Sequence, residues 1–197
     1  VTSASIKRDA LSESELSRLW TALDELTDPE IPVVTLREMG ILRDVRSAAD
    51  GRVEVVITPT YSGCPAMEMI HDDIVALLKR EGFDGRVVTQ LAPAWTTDWM
   101  TDEAREKLRA YGIAPPHCST QTADGAVTSV IRFAPKSIAT NDLSTPTSGQ
   151  KSPKLAVACP LCGSHNTTET SHFGSTACKA LYRCLDCMEP FDHFKSI

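Results

Sequence analysis

Cys159, Cys162, Cys184 and Cys187 form two C-x-x-C pairs separated by a segment long enough to fold back on itself. Each pair can present two thiolates from one tight turn. Two such turns complete the tetrahedral sulfur shell that zinc prefers, with Zn–S of about 2.3 Å. This is the spacing of a zinc ribbon. The tail around it is poor in apolar residues, so a bound metal would supply much of its folding free energy, roughly 10–16 kcal/mol in small fingers. Iron or an iron-sulfur cluster could occupy the same four thiolates, and the spacing does not choose between these metals. A ribbon can bind nucleic acid, dock a protein or staple a tail, so the motif indicates metal rather than activity.

Cys64 is the second chemical feature. It stands between Gly63 and Pro65 where a strand is expected to turn into a helix. With proline at the first helical position, Cys64 would be the N-cap, where free N–H groups and the helix dipole favour a thiolate. Such a sulfur can act as a nucleophile or a metal ligand; the alternative is a small buried side chain filling the turn. Tyr61, Ser62, Glu68 and His71 lie close in sequence and could supply hydrogen bonds or further ligands, although His71 reads as solvent-facing. Asp28 and Glu30, held in Asp28-Pro29-Glu30-Ile31-Pro32, could ligate or orient a metal, or Asp28 could simply cap the turn. Cys178 lies outside the pair pattern and could be a packed core residue, a redox-active thiol or an alternate ligand. Cys118 reads as incidental.

The elements that must position these residues follow from periodicity. Leu11 to Leu26 reads as a helix, with Leu16, Leu19, Trp20, Leu23 and Leu26 at helical spacing and a capping box at Ser12 and Glu15. Strands follow at Ile41 to Val45 and Val53 to Thr58, joined by a hairpin at Asp50-Gly51. A helix from Pro65 buries Met67, Ile70, Ile74, Leu77 and Leu78. A third strand runs from Val87 to Leu91 and a third helix from Thr101 to Ala110, ending at Gly112. The fold class expected is α+β: a small two-layer α/β domain (residues 11–116) with a three-stranded mixed sheet, then a linker (117–154) with one short strand at Val127 to Phe133, then a zinc ribbon (155–197). The Ser/Thr/Ala/Gly/Pro-rich linker suggests flexibly joined modules. Phe173, Tyr182, Phe191 and Phe194 are the expected ribbon core, and any left exposed would form a docking patch.

Composition narrows the function. The chain has 197 residues and a formal net charge of −6. Around the ribbon, Lys151, Lys154, Lys179, Arg183 and Lys195 stand against Glu169, Asp186, Glu189 and Asp192, which is not the clustered positive charge of a nucleic-acid binder. No apolar run reaches the roughly 20 residues of a membrane span, and seven cysteines with four in metal-type pairs fit a reducing compartment; a soluble cytoplasmic protein is expected. A G-x-S-x-G elbow, an H-E-x-x-H pair and a Gly-rich phosphate loop are all missing, which disfavours a conventional hydrolase.

The stretches Asp28-Pro29-Glu30-Ile31-Pro32, Glu38-Met39-Gly40-Ile41, Thr58-Pro59-Thr60-Tyr61-Ser62-Gly63-Cys64-Pro65-Ala66-Met67 and Trp95-Thr96-Thr97-Asp98-Trp99-Met100 resemble the small metal-sulfur-cluster assembly domain. Joined to the ribbon segment Phe173-Gly174-Ser175-Thr176-Ala177-Cys178-Lys179 and Glu189-Pro190-Phe191-Asp192, the chain is similar to the D subunits of phenylacetyl-CoA ring-1,2-epoxidase systems. The resemblance covers about residues 11–116 and 156–197, and the long linker is its main departure. It implies an accessory role in aerobic phenylacetate catabolism. There a multicomponent di-iron monooxygenase epoxidises the ring, using electrons from a flavin and iron-sulfur reductase. On this resemblance the chain has no catalytic residues of its own. Cys64 receives or presents a transient iron or iron-sulfur cluster, Asp28, Glu30 and Glu68 help, and Cys159, Cys162, Cys184 and Cys187 hold zinc. The implied partners are the oxygenase and reductase subunits, with no nucleic acid or membrane and with a homodimer as an expected assembly. An integral electron-transfer or structural subunit is the alternative role.

Overall fold

A computed structural model describes residues 11–61, 63–116 and 157–196. The expected strand at Val127 to Phe133, the linker proper, Cys118 and Ser62 lie outside the described residues. Helix α1 (Glu13–Leu23) starts where the capping box places it: Ser12 Oγ accepts from the Glu15 amide at 3.3 Å, and Glu15 Oε2 accepts from the Ser12 amide at 3.0 Å. It stops three residues short of Leu26, whose carbonyl is taken by the Leu36 amide at 2.9 Å, tying the acidic turn back on itself.

Strands β1 (Leu42–Ser47) and β2 (Val53–Ile57) form the expected antiparallel hairpin, turning at Gly51 with φ of 80°. Helix α2 (Ala66–Arg80) crosses over to β3 (Gly85–Thr89), which runs parallel to β2, so the sheet is mixed with order β1-β2-β3. Ile70, Ile74, Leu77 and Leu78 of α2 are buried, while Met67 is only half-buried. The third strand begins two residues earlier than the apolar run predicts, because Gly85 pairs with Val53 and lies so close that a Cβ would sit 2.9 Å from the Val53 carbonyl. Helix α3 (Asp102–Ala110) is capped by Thr101, whose Oγ1 accepts from the Ala104 amide at 3.1 Å.

Two segments far apart in sequence meet across this domain. The Trp95 indole donates to the Met39 carbonyl at 2.9 Å, and Gly40, with φ of 72°, sits against Trp99. A Cβ on Gly40 would stand 2.7 Å from Trp99 Cβ and 2.8 Å from the Trp99 carbonyl. Gly40→Ala therefore combines a left-handed conformation with a backbone clash, and urea denaturation should show a loss of about 2–4 kcal/mol.

The ribbon is not an independent appendage. Strands β4 (Ile113–Ala114), β5 (Thr167–Ser171), β6 (Lys179–Cys184) and β7 (Pro190–Phe194) form one sheet of order β4-β7-β6-β5, and β4 belongs to the end of the first domain. Ile113 and Ala114 pair in parallel with Asp192 and His193 of β7. Phe194 is buried in the main core, its ring 6.0 Å from that of Trp95, and Cys178 is buried there too. Backbone pairing and shared core fix the two modules together, contrary to the flexible joint expected from linker composition. Of the expected ribbon core, Phe191 is buried with Val157, Ala114, Cys159 and Cys184, and Tyr182 stacks on it; Phe173 is exposed under Lys195.

Candidate functional site

The four ribbon cysteines converge. Cys159 Sγ lies 3.8 Å from Cys187 Sγ and Cys162 Sγ 3.6 Å from Cys184 Sγ, and all four sulfurs fall within 4.8 Å of one another. A tetrahedron with Zn–S of about 2.3 Å has sulfur–sulfur edges of about 3.8 Å, so the donors present fit one tetrahedral metal ion. The turns that present them are shaped by Gly163, at φ of 76°, whose amide donates to the Cys159 carbonyl, and by Met188, at φ of 67° in the matching place on the second turn. The Cys187 amide points at Cys184 Sγ and, with the Asp186 amide, draws the Cys184 thiol down to about 7. For Cys187 the Glu189 amide acts in the same sense, but burial and the other three sulfurs outweigh it and push the thiol up to about 12. A metal ion arriving here displaces the remaining thiol protons.

Cys64 occupies a different environment. It precedes α2, but Pro65 is the residue at the helix cap, and Cys64 is half-buried against the main core. The thiolate expected from a helix N-terminus is not favoured. Burial pushes the Cys64 thiol up, the Ala66 amide opposes this, and the charges of Glu30 and Asp28 with the Cys178 sulfur push it further up. The negative charges of Asp28 and Glu30 thus act against a Cys64 thiolate. Asp28 also caps its turn: its Oδ1 accepts from the Glu30 amide at 2.8 Å and the Ile31 amide at 2.9 Å. Burial raises the Asp28 carboxyl despite those two bonds, and burial together with Asp28 raises Glu30. The Cys64 amide donates to the Tyr61 carbonyl at 3.3 Å. Glu68 and His71 are exposed on α2 and line an open cleft of about 570 Å³ with Met67, Asp72 and Thr89; the carboxylates acting on Cys64 are Asp28 and Glu30.

Cys178 is the residue that motif spacing leaves unassigned. A period-two reading back from Cys184 puts Cys178, Ala180 and Tyr182 on one face of β6 and its approach, which signals an inward side chain. Which core it enters depends on how the ribbon docks, and no local pattern carries that.

Residues 16–90 match the model of iron-sulfur cluster assembly proteins, and residues 143–195 match that of the PaaD zinc beta ribbon domain. A protein of Escherichia coli (strain K12), named as the D subunit of 1,2-phenylacetyl-CoA epoxidase, is 43% identical over 188 residues, covering 95% of this chain and 96% of that one. The chain belongs to this family of epoxidase D subunits. Within the family's two-part architecture, the first part has relatives of its own. An Fe-S protein maturation auxiliary factor of Porphyromonas gingivalis is 33% identical over 101 residues, which are 49% of this chain and 90% of that protein. A crystal structure of a domain of unknown function from Bacillus anthracis aligns with TM-score 0.42 and 25% identity, covering 47% of this chain and 89% of that one. The family thus joins an iron-sulfur assembly domain to a metal-binding ribbon. No helix among the described residues is long and apolar enough to cross a membrane.

Proposed function

We propose that this chain is the accessory D subunit of a 1,2-phenylacetyl-CoA epoxidase system and that it matures or maintains an iron or iron-sulfur centre of the complex through Cys64. The observation that carries this reading is that Asp28, Glu30 and Cys64 all fall in the segment, residues 16–90, matched by the iron-sulfur cluster assembly model. The contrast between the two sulfur sites supports it. Cys159, Cys162, Cys184 and Cys187 form a closed shell suited to retention, and zinc is the ion that four such thiolates hold best in a structural site. Among the described residues this is the one group of three or more His/Cys/Asp/Glu side chains with all donor atoms within 4.8 Å. The donors around Cys64 are more widely spread, which suits a cargo that must leave again.

The partners on this reading are the oxygenase and reductase subunits. The test is to purify the oxygenase from cells with and without this protein, then measure its iron content and its turnover with purified reductase. Oxygenase made without the protein should be iron-poor and inactive, and oxygenase made with it should stay active once the protein is removed. Iron-replete oxygenase that still needs the protein in the assay would instead indicate an electron-transfer role.

A further inference from the structure

The cleft beside α2 is walled on its other side by a free sheet edge. Among the described residues β3 has one neighbour, β2. The Val53 amide donates to the Asp84 carbonyl at 2.9 Å and the Gln90 amide to the Ile57 carbonyl at 2.8 Å, so in this parallel register Asp84, Arg86, Val88 and Gln90 direct their backbone groups at β2. Gly85, Val87 and Thr89 turn theirs outward, and no described residue takes them. The usual guards of such an edge are missing. Strand β3 has no proline, its pairing with β2 has no bulge, and its one charged side chain, Arg86, turns back to Glu54 at 3.0 Å. The side chains of Gly85, Val87 and Thr89 share the face that carries α2: a Cβ on Gly85 would lie 2.8 Å from Leu78, and Thr89 lines the cleft with Met67, Glu68, His71 and Asp72. The groove therefore runs between a strand edge and a helix flank. Its charge is one-sided, because Glu68 and Asp72 line it without a lysine or arginine, and no described Lys or Arg pairs with either carboxylate. Met67 ties it to the Cys64 turn, its amide donating to the Cys64 carbonyl at 3.3 Å.

We propose that this groove receives the oxygenase: an extended oxygenase segment adds as a strand to the outer edge of β3 and sets a lysine or arginine against Glu68 and Asp72. The inference rests on the reading of this chain as a factor that serves the oxygenase through Cys64, and it names the surface that brings the two together. A row of outward backbone groups recognises another backbone, which selects an extended segment over a helix. Two carboxylates one helical turn apart select a cation, whose aliphatic stem can lie along Met67. A second copy of this chain, with its net charge of −6, is the poorer match for an acidic groove. A client seated here lies next to the turn that carries Cys64, as a metal-handling residue requires.

The test uses the full chain with its ribbon metal in place and the purified oxygenase as the probe. Binding should weaken as salt rises, and the double variant Glu68→Lys, Asp72→Lys should lose at least about tenfold in affinity while keeping its ribbon metal and melting temperature. Hydrogen exchange on wild type is the second measurement. The Val87 and Thr89 amides should exchange freely in the chain alone and at least about tenfold more slowly with oxygenase bound, whereas Arg86 and Val88, already bonded to β2, should change little. Wild-type affinity in the double variant, or oxygenase binding that leaves Val87 and Thr89 unprotected, overturns the groove and leaves the oxygenase as client. Protection of those amides in the chain alone assigns the edge to another segment of this chain, or to a second copy if it grows with concentration, and overturns the proposal as well. Binding of the purified reductase in place of the oxygenase, or of neither, overturns both the proposal and the reading on which it rests.

Discussion

Cys184→Ala should produce a protein that has lost its ribbon metal and, with it, far more than the ribbon. Cys159 and Cys184 are two of the five buried residues of the small core that also contains Val157, Phe191 and Ala114. Without metal that core is too small to offset the ordering of residues 157–196, since a structural zinc contributes roughly 10–16 kcal/mol to a unit of this size. Unfolding of β5, β6 and β7 then withdraws Phe194 and Cys178 from the main core and leaves β4 without its partner. Loss of a buried aromatic costs about 3–5 kcal/mol, so the remaining α/β domain should melt on the order of 10–20 °C lower. Hydrogen exchange is the decisive measurement: amides of β5 to β7 should exchange freely, and those of Ile113 and Ala114 should follow. A freely tethered ribbon predicts instead that the first domain melts unchanged. A chelator strong enough to strip the ribbon should reproduce the substitution.

This coupling explains why one part of the architecture is legible in the sequence and another is not. The capping box at Ser12 and Glu15, the Asp50-Gly51 turn and the helical stripe of α2 are local patterns. Each fixes its element within two or three residues. The C-x-x-C pairs are nearly local as well, because each turn presents two sulfurs and only the return of one hairpin is needed to bring the turns together. Cys178 is different: its surroundings arise from β4–β7 pairing and from the Trp95–Phe194 contact, between residues roughly eighty to a hundred positions apart. Linker composition pointed the wrong way here, because a Ser/Thr-rich connection says how far two modules could move and nothing about whether their surfaces fit. At Cys64 the local argument failed for a related reason. A helix N-terminus favours a thiolate in an open setting, but burial and two nearby carboxylates, brought in from the Asp28–Glu30 turn, reverse the sign.

That reversal sets the expectation for Cys64→Ala, which should leave the fold nearly untouched and abolish function. A half-buried thiol truncated to a methyl loses little packing, and the substitution removes a group whose ionised form is opposed by its surroundings. Stability should therefore change by no more than about 1 kcal/mol, with ribbon metal retained in full. In cells, however, oxygenase produced alongside Cys64→Ala should carry at least about tenfold less iron in its active centre, with specific epoxidation activity falling in proportion, because loss of a metal ligand exceeds the roughly 10–100-fold cost of losing an outer partner. Cys64→Ser sharpens the test. Serine nearly preserves size, but its hydroxyl does not ionise near neutral pH and is a hard donor, so it should fail as completely as alanine if sulfur ligation is what matters. Rescue by serine would mean that Cys64 organises the turn before α2 instead of holding metal. Full iron occupancy with alanine would remove Cys64 from the transfer altogether, leaving the ribbon as the one metal site among the described residues.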